Sequence, residues 1–209
     1  MLRYVAANAM KAHGHHLLAT QLLLAAFVVS VAAPPFVFGK PAKVILLRHA
    51  EKPDDENNVH LSRDGQARAQ ALVGFFSNRF GISITNPPAA LFATRPIRGS
   101  RSLRPYETLE PLAKALKVPI QQPETAFRYD RLAAHLLKNP AFEDKTVVVC
   151  WVHEEMDDLA RALGAEVKKD WKGSVYDRVW VLTFKKKEVR CKTVLQKLMP
   201  GDDMGEEDE

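Results

Sequence analysis

The chain has 209 residues, 46% of them hydrophobic and 26% charged, with a formal net charge of +5. That length supports one domain with its own core, and the balance excludes collagen-like, coiled-coil and wholly disordered chains. Only two cysteines occur, Cys150 and Cys191, so a disulfide scaffold is excluded while a single bridge stays open.

The charge is uneven. Asp202, Asp203, Glu206, Glu207, Asp208 and Glu209 place six carboxylates in the last eight residues, so the rest of the chain is more basic than the total suggests. A basic body suits nucleic acid, an anionic membrane or a phosphorylated molecule, and charge alone does not choose among them.

Residues 12–39 contain no Asp, Glu, Lys or Arg, and 17–33 (LLATQLLLAAFVVSVAA) is strongly apolar, preceded by Arg3 and Lys11. This order predicts that 1–39 is a secretory signal or a retained membrane anchor, with Pro34, Pro35 and Pro41 detaching it from the rest of the chain. His13, His15 and His16 belong to that segment rather than to a metal site. The protein is then exported or membrane-anchored, or cytoplasmic if the segment is no targeting signal.

From residue 42 to 198 strands and helices alternate. Residues 43–48 (KVILLR) read as a buried parallel strand and 53–59 as a polar loop. A helix over 64–80 comes next, with Ala67, Ala71, Leu72, Phe75 and Phe76 near a 3.6 period and Ser62 as its cap. Residues 91–94 are a short strand, and an arginine-rich loop leads to a helix over 106–117 that buries Leu109, Leu112 and Leu116. Further helices are expected over 129–138 and 156–163, the second ended by Gly164. The β-branched run 146–152 (TVVVCWV) is the strongest strand. Two more, 179–184 and 188–195, flank a solvated turn at Lys185, Lys186 and Lys187.

This alternation predicts a three-layer α/β/α sandwich with a mostly parallel central sheet. Residues 200–209 have little to bury and read as an acidic disordered tail. No nucleic-acid motif accompanies the basic residues, so no nucleic-acid partner is expected.

In open α/β sheets ligands bind beyond the carboxyl ends of the strands. His49 comes directly after the first strand, His153 after the run 146–152, and Arg95, Arg98, Arg101 and Arg104 after 91–94. Two imidazoles and a guanidinium cluster at strand ends suit a phosphoryl group: arginine forks hold its oxygens, and a histidine can attack phosphorus.

Four segments carry a family resemblance. Arg48, His49, Ala50 and Glu51 are similar to an R-H-A/G-E signature after a strand. Leu61, Ser62, Gly65, Arg68 and Ala69 are similar to an L-S/T-x-x-G-x-x-Q/R-A segment opening a helix. Arg104 and Thr108 stand in R-x-x-x-T spacing, and His153 ends VVVCWVH. With these, residues 43–184 resemble the histidine phosphatase superfamily, also called phosphoglycerate mutase-like.

The resemblance implies that fold and a phosphate pocket of Arg48, His49, Arg104 and His153, with no metal and no cofactor. His49 is then the nucleophile that becomes phosphorylated, its other ring nitrogen held by a backbone carbonyl. Arg48 and Arg104 bind the equatorial oxygens, and His153 donates a further hydrogen bond.

Two departures leave choices open. The stretch 96–104 is longer than the family's S-P-L-x-R, so Arg98 competes with Arg104, although the spacing to Thr108 favours Arg104. Glu154 stands where the acid phosphatase branch has a proton-donating aspartate. It reads either as that donor or as a plain helix-start carboxylate, with Glu51, Glu155 and water as other proton sources. Too few residues separate Thr108 from 146 for a large cap, which favours a phosphorylated small molecule or phosphoprotein over mutase chemistry. The expected function is a metal-independent phosphomonoesterase working through phosphohistidine. The alternative is a non-catalytic phosphate-binding or interaction protein on the same fold. Oligomeric state is not legible.

Overall fold

A computed structural model describes residues 39–203 apart from Glu56, Ser100, 168–170 and Lys187. The expected signal or anchor over 1–39 thus lies almost wholly outside the described residues, as do 204–209. No helix among the described residues is long and apolar enough to cross a membrane.

Six strands form one sheet in the order β3-β2-β4-β1-β5-β6. They are β1 (Lys43–Arg48), β2 (Ala90–Ala93), β3 (Ile120–Gln121), β4 (Thr146–Trp151), β5 (Arg178–Phe184) and β6 (Val189–Leu195). The pairs β1–β4, β2–β4 and β2–β3 are parallel; β1–β5 and β5–β6 are antiparallel. The helices are α1 (Arg63–Phe80), α2 (Arg104–Leu116), α3 (Tyr129–Lys138) and α4 (Met156–Ala162).

Successive residues of a strand point to opposite faces, and the core divides accordingly. Ile45, Leu47, Val148, Cys150, Leu91 and Ala93 pack against Leu72, Phe75 and Phe76 of α1 and Leu109, Leu112 and Leu116 of α2. Val44, Leu46, Val147, Val149, Trp151 and Phe92 pack against Leu132 and Leu136 of α3 and Leu159 of α4. The sheet is therefore covered on both faces, which explains why β1 and β4 are apolar runs without alternation. The chain is the α/β/α sandwich its sequence predicts.

Local chemistry sets the boundaries. Ser62 Oγ accepts from the Gly65 N–H at 3.0 Å and starts α1. The second helix begins two residues earlier than expected, at Arg104, because Pro105 fits the first turn and needs no N–H partner there. Gly164 comes after α4 with φ 92°.

Both domain edges differ from expectation. Lys40 already belongs to the domain, its carbonyl accepting from the Asp144 N–H. Two residues of the acidic tail expected over 200–209 are docked: the Asp202 side chain is 4% exposed and bound to Arg68, and the Asp203 N–H donates to Asp177. A carboxylate with a buried guanidinium to neutralise has reason to dock. Cys150 and Cys191 are free thiols, so the one possible bridge is absent.

Candidate active site

The carboxyl ends of β2, β4 and β1 lie side by side, with Ala93 opposite Cys150 and Arg48 opposite Trp151. The His49 N–H extends this ladder by donating to the Trp151 carbonyl. Everything after these strands emerges at one edge, and that edge gathers Arg48, His49, Arg104 and His153.

The loop after β1 is anchored from several directions. The Ala50 N–H donates to Thr108 Oγ1 at 2.9 Å, and that hydroxyl donates to the Arg104 carbonyl at 2.7 Å. The Glu51 carbonyl accepts from the Ser62 N–H at 2.9 Å. It also sits so close to α1 that a Cβ on Gly65 would lie 2.4 Å away, so only glycine lets loop and helix meet. The Glu51 carboxylate is gripped by Arg68, which also binds Gln196 and Asp202. Although burial works against its charge, the hydrogen bonds it donates to Asp202 and Glu51 raise the basicity of Arg68. Glu51 is thus a structural acid in an ion-pair network.

His49 is 4% exposed, deeper than a loop histidine needs to be. Its Nδ1 lies 2.7 Å from the Ala50 carbonyl, which can only accept, so Nδ1 carries the proton and Nε2 keeps its lone pair. Burial pushes its pKa down to about 3, helped by the charges of Arg48, Arg104 and His153; the bond to Ala50 acts the other way. The ring is neutral and nucleophilic at neutral pH.

Arg48 is buried and stacked, its guanidinium carbon 3.9 Å from the centroid of the Tyr176 ring. Its Nη1 donates to the carbonyls of Gly173 and Val175, and Nη2 donates to the Tyr176 hydroxyl at 3.2 Å. Burial and repulsion from Arg104 lower its pKa, while Tyr176 and Glu154 oppose them. Arg104 Nη2 donates to the Asn58 carbonyl at 2.9 Å, which aims the side chain across the 53–59 loop. Arg98 is exposed, six residues upstream of Arg104.

His153 opens a 3₁₀ turn after β4. Its ring packs on Gly173, where a Cβ would meet Nε2 at 2.8 Å. Glu154 Oε2 lies 3.0 Å from Nδ1, outside hydrogen-bond geometry, and its side chain is 62% exposed. Burial and the Arg48 charge lower the pKa of His153. Glu155 goes the other way, raised by partial burial and by Asp158 and Glu154.

Residues 171–176 form a strap that sequence reasoning missed. Trp171 fixes it through its N–H to Asp157, its indole N–H to the Val175 carbonyl, and a ring contact with Trp180 at 4.8 Å. The signal was a glycine between aromatics, WKGSVY. Its destination depends on β5 running antiparallel to β1, because only then does the residue preceding β5 return to the carboxyl end of β1.

Four buried side-chain polar atoms among the described residues lack a hydrogen-bond partner: Arg48 Nε, Arg104 Nε, His153 Nδ1 and Ser102 Oγ. Three belong to the residues gathered here. Buried polar groups are normally satisfied, so this concentration describes a receptor for an acceptor-rich anion. No group of three or more potential metal ligands occurs among the described residues.

Solved structures of the same architecture are similar over most of the chain. A protein described as an alpha-ribazole-5'-P phosphatase from Escherichia coli matches with TM-score 0.54 and 12% identity, over 77% of this chain and 98% of that one. The protein histidine phosphatase SixA, complexed with tungstate, matches with TM-score 0.52 and 13% identity, over 74% and 97%. No protein-family model and no curated protein matches the sequence.

Proposed function

The chain has the histidine phosphatase fold, in its form without a large cap domain; from that premise we propose that it is a metal-independent phosphatase that hydrolyses phosphomonoesters through a phosphohistidine. The observation that carries this reading is the set of unfilled donors on Arg48, Arg104 and His153 around a neutral, buried His49. Tungstate, an oxyanion, is bound by one protein of this fold.

The chemistry derives from the geometry. His49 Nε2 attacks phosphorus as the bond to the leaving oxygen breaks, and the Ala50 carbonyl takes up the positive charge developing at Nδ1–H. Arg48 and Arg104 hold the equatorial oxygens, and His153 donates to the same group. Phosphoryl transfer needs little more than such positioning and charge stabilisation. Glu154 gives a proton to the leaving oxygen. Water then attacks phosphorus, giving its proton back to the Glu154 carboxylate as the P–N bond breaks, and neutral His49 and inorganic phosphate are released. Glu154 suits the role by position, beside His153 and open to solvent, whereas Glu51 is spent on Arg68. Arg98 stands at the rim, outside this set.

The substrate is a phosphorylated small molecule or a phosphoprotein reached through an uncapped mouth. Hydrolysis of an aryl phosphate with chelator present, dependent on His49 and accompanied by acid-labile protein-bound phosphate, tests the activity. Phosphate binding without turnover would replace it with the binding-protein reading. Residues 17–33 add a second proposal, that the protein is exported or held at a membrane. Fractionation of cells expressing the full chain tests it, and recovery of the intact chain in the soluble cytoplasm would refute it.

A further inference from the structure

The Tyr176 hydroxyl is held in the pocket yet only half used. It accepts from Arg48 Nη2 at 3.2 Å, which occupies a lone pair and leaves its own proton free. No second partner for that hydroxyl exists among the described residues. The ring is fixed from two sides, by the guanidinium of Arg48 stacked at 3.9 Å and by the His49 ring, 6.2 Å away between centroids. The strap that carries it is pinned at the neighbouring residue, whose carbonyl accepts from both Trp171 and Arg48.

We propose that Tyr176 is a phosphoryl-binding residue, its hydroxyl donating a hydrogen bond to an oxygen of the group that His49 attacks. This rests on the phosphatase reading and extends it. A phosphorus within reach of His49 and contacted by Arg48 has its oxygens beside the partner of Arg48, and that partner is the Tyr176 hydroxyl. Lying next to Arg48, it serves an equatorial oxygen rather than the leaving oxygen opposite His49. Arg48 in turn polarises the O–H it donates to, which strengthens the bond to an anion. The stacked ring alone would require only an aromatic residue. The hydroxyl is the feature that stacking leaves unexplained.

Tyr176→Phe keeps the ring over Arg48 and removes only the hydroxyl, so it separates the two roles. The full-length variant is expected to bind inorganic phosphate about tenfold more weakly by calorimetry, the scale of one hydrogen bond to a charged group. Its kcat/KM should fall by a similar factor on an activated aryl phosphate and on an alkyl phosphate, because the contact is to the phosphoryl group common to both. A small fall in melting temperature accompanies it, since Arg48 Nη2 loses an acceptor, but the variant stays folded at the assay temperature. Wild-type affinity and turnover in the Phe variant would overturn the proposal and leave the ring as a platform. Loss confined to the alkyl ester would overturn it too, reassigning the hydroxyl to proton donation. Wild-type protein that binds phosphate without turning over either ester would refute the phosphatase reading, while the calorimetric comparison would still decide Tyr176.

Discussion

His49 and His153 reach the same pocket on unlike supports. His49 is 4% exposed, and the loop it stands on is held by Thr108, Ser62, Gly65 and the Arg68 network. His153 opens a short turn, is only partly buried, and keeps an Nδ1 that no hydrogen bond fills. The contrast suits the two tasks proposed for them. A nucleophile must have its tautomer and line of attack fixed beforehand, since misplacement by about 1 Å can cost 100-fold. A donor whose partner is the substrate must be left unfilled by the protein.

The comparison breaks most completely at His49 itself. His49→Ala should lose turnover and acid-labile phosphate together, measured by aryl phosphate assay and by protein-bound label; retained turnover would remove the nucleophile assignment. Next comes the pair of arginines. Arg104→Ala should lower kcat/KM by about 100-fold or more, as expected for a lost charge-assisted contact in the transition state. Arg98→Ala should stay within about twofold, because an exposed charge is largely screened by solvent and salt. A larger loss for Arg98 would exchange their roles.

The weaker support of His153 is probed by Gly173→Ala. Its new Cβ would lie 2.8 Å from Nε2, so the ring must shift, and kcat/KM should fall roughly tenfold with the phosphohistidine still forming. The stronger support of His49 is probed from far along the chain by Asp202→Asn. That change leaves Arg68 with Glu51 and Gln196 but weakens the clamp, and should cost about 1–3 kcal/mol in denaturant unfolding with a few-fold loss of activity.

The effect least tied to turnover is on pH. The folded His49 has its pKa depressed from 6.5 to about 3, so between those values the unfolded chain binds the extra proton. Stability contributed by keeping this ring neutral is therefore present above about 6.5 and is lost as pH falls toward 3. Unfolding midpoints across that window should fall more steeply for the wild type than for His49→Ala. Parallel curves would show that another group sets the acid limit.

Much of the fold and the pocket was legible in sequence because it arises from short-range pattern. The apolar runs at β1 and β4, the Ser62 cap and the periods of α1 and α2 each need only neighbours within a few turns. The rule that strand ends carry ligands brought forward the two histidines and four arginines, and the family resemblance, through its spacing to Thr108, favoured Arg104. The parts that stayed hidden depend on pairing over long distances. Tyr176 and Gly173 come to the site because β5 runs antiparallel to β1, and nothing in VWVLTF encodes direction. The two-residue β3 is too short for any pattern. Asp202 looked like one more acid in an acidic run; its burial comes from Arg68, 134 residues away, needing a second carboxylate.

The Val175 carbonyl accepts from two donors of different kinds, the Arg48 guanidinium and the Trp171 indole at 3.0 Å. An anion that draws Arg48 toward itself unloads that oxygen, and the indole experiences the change directly. The chain has three tryptophans, and Trp151 is bonded elsewhere, to the Ala126 carbonyl. Emission from Trp171, in ring contact with Trp180, is therefore expected to change as the pocket fills, so phosphate titration of the unlabelled protein checks occupancy without turnover.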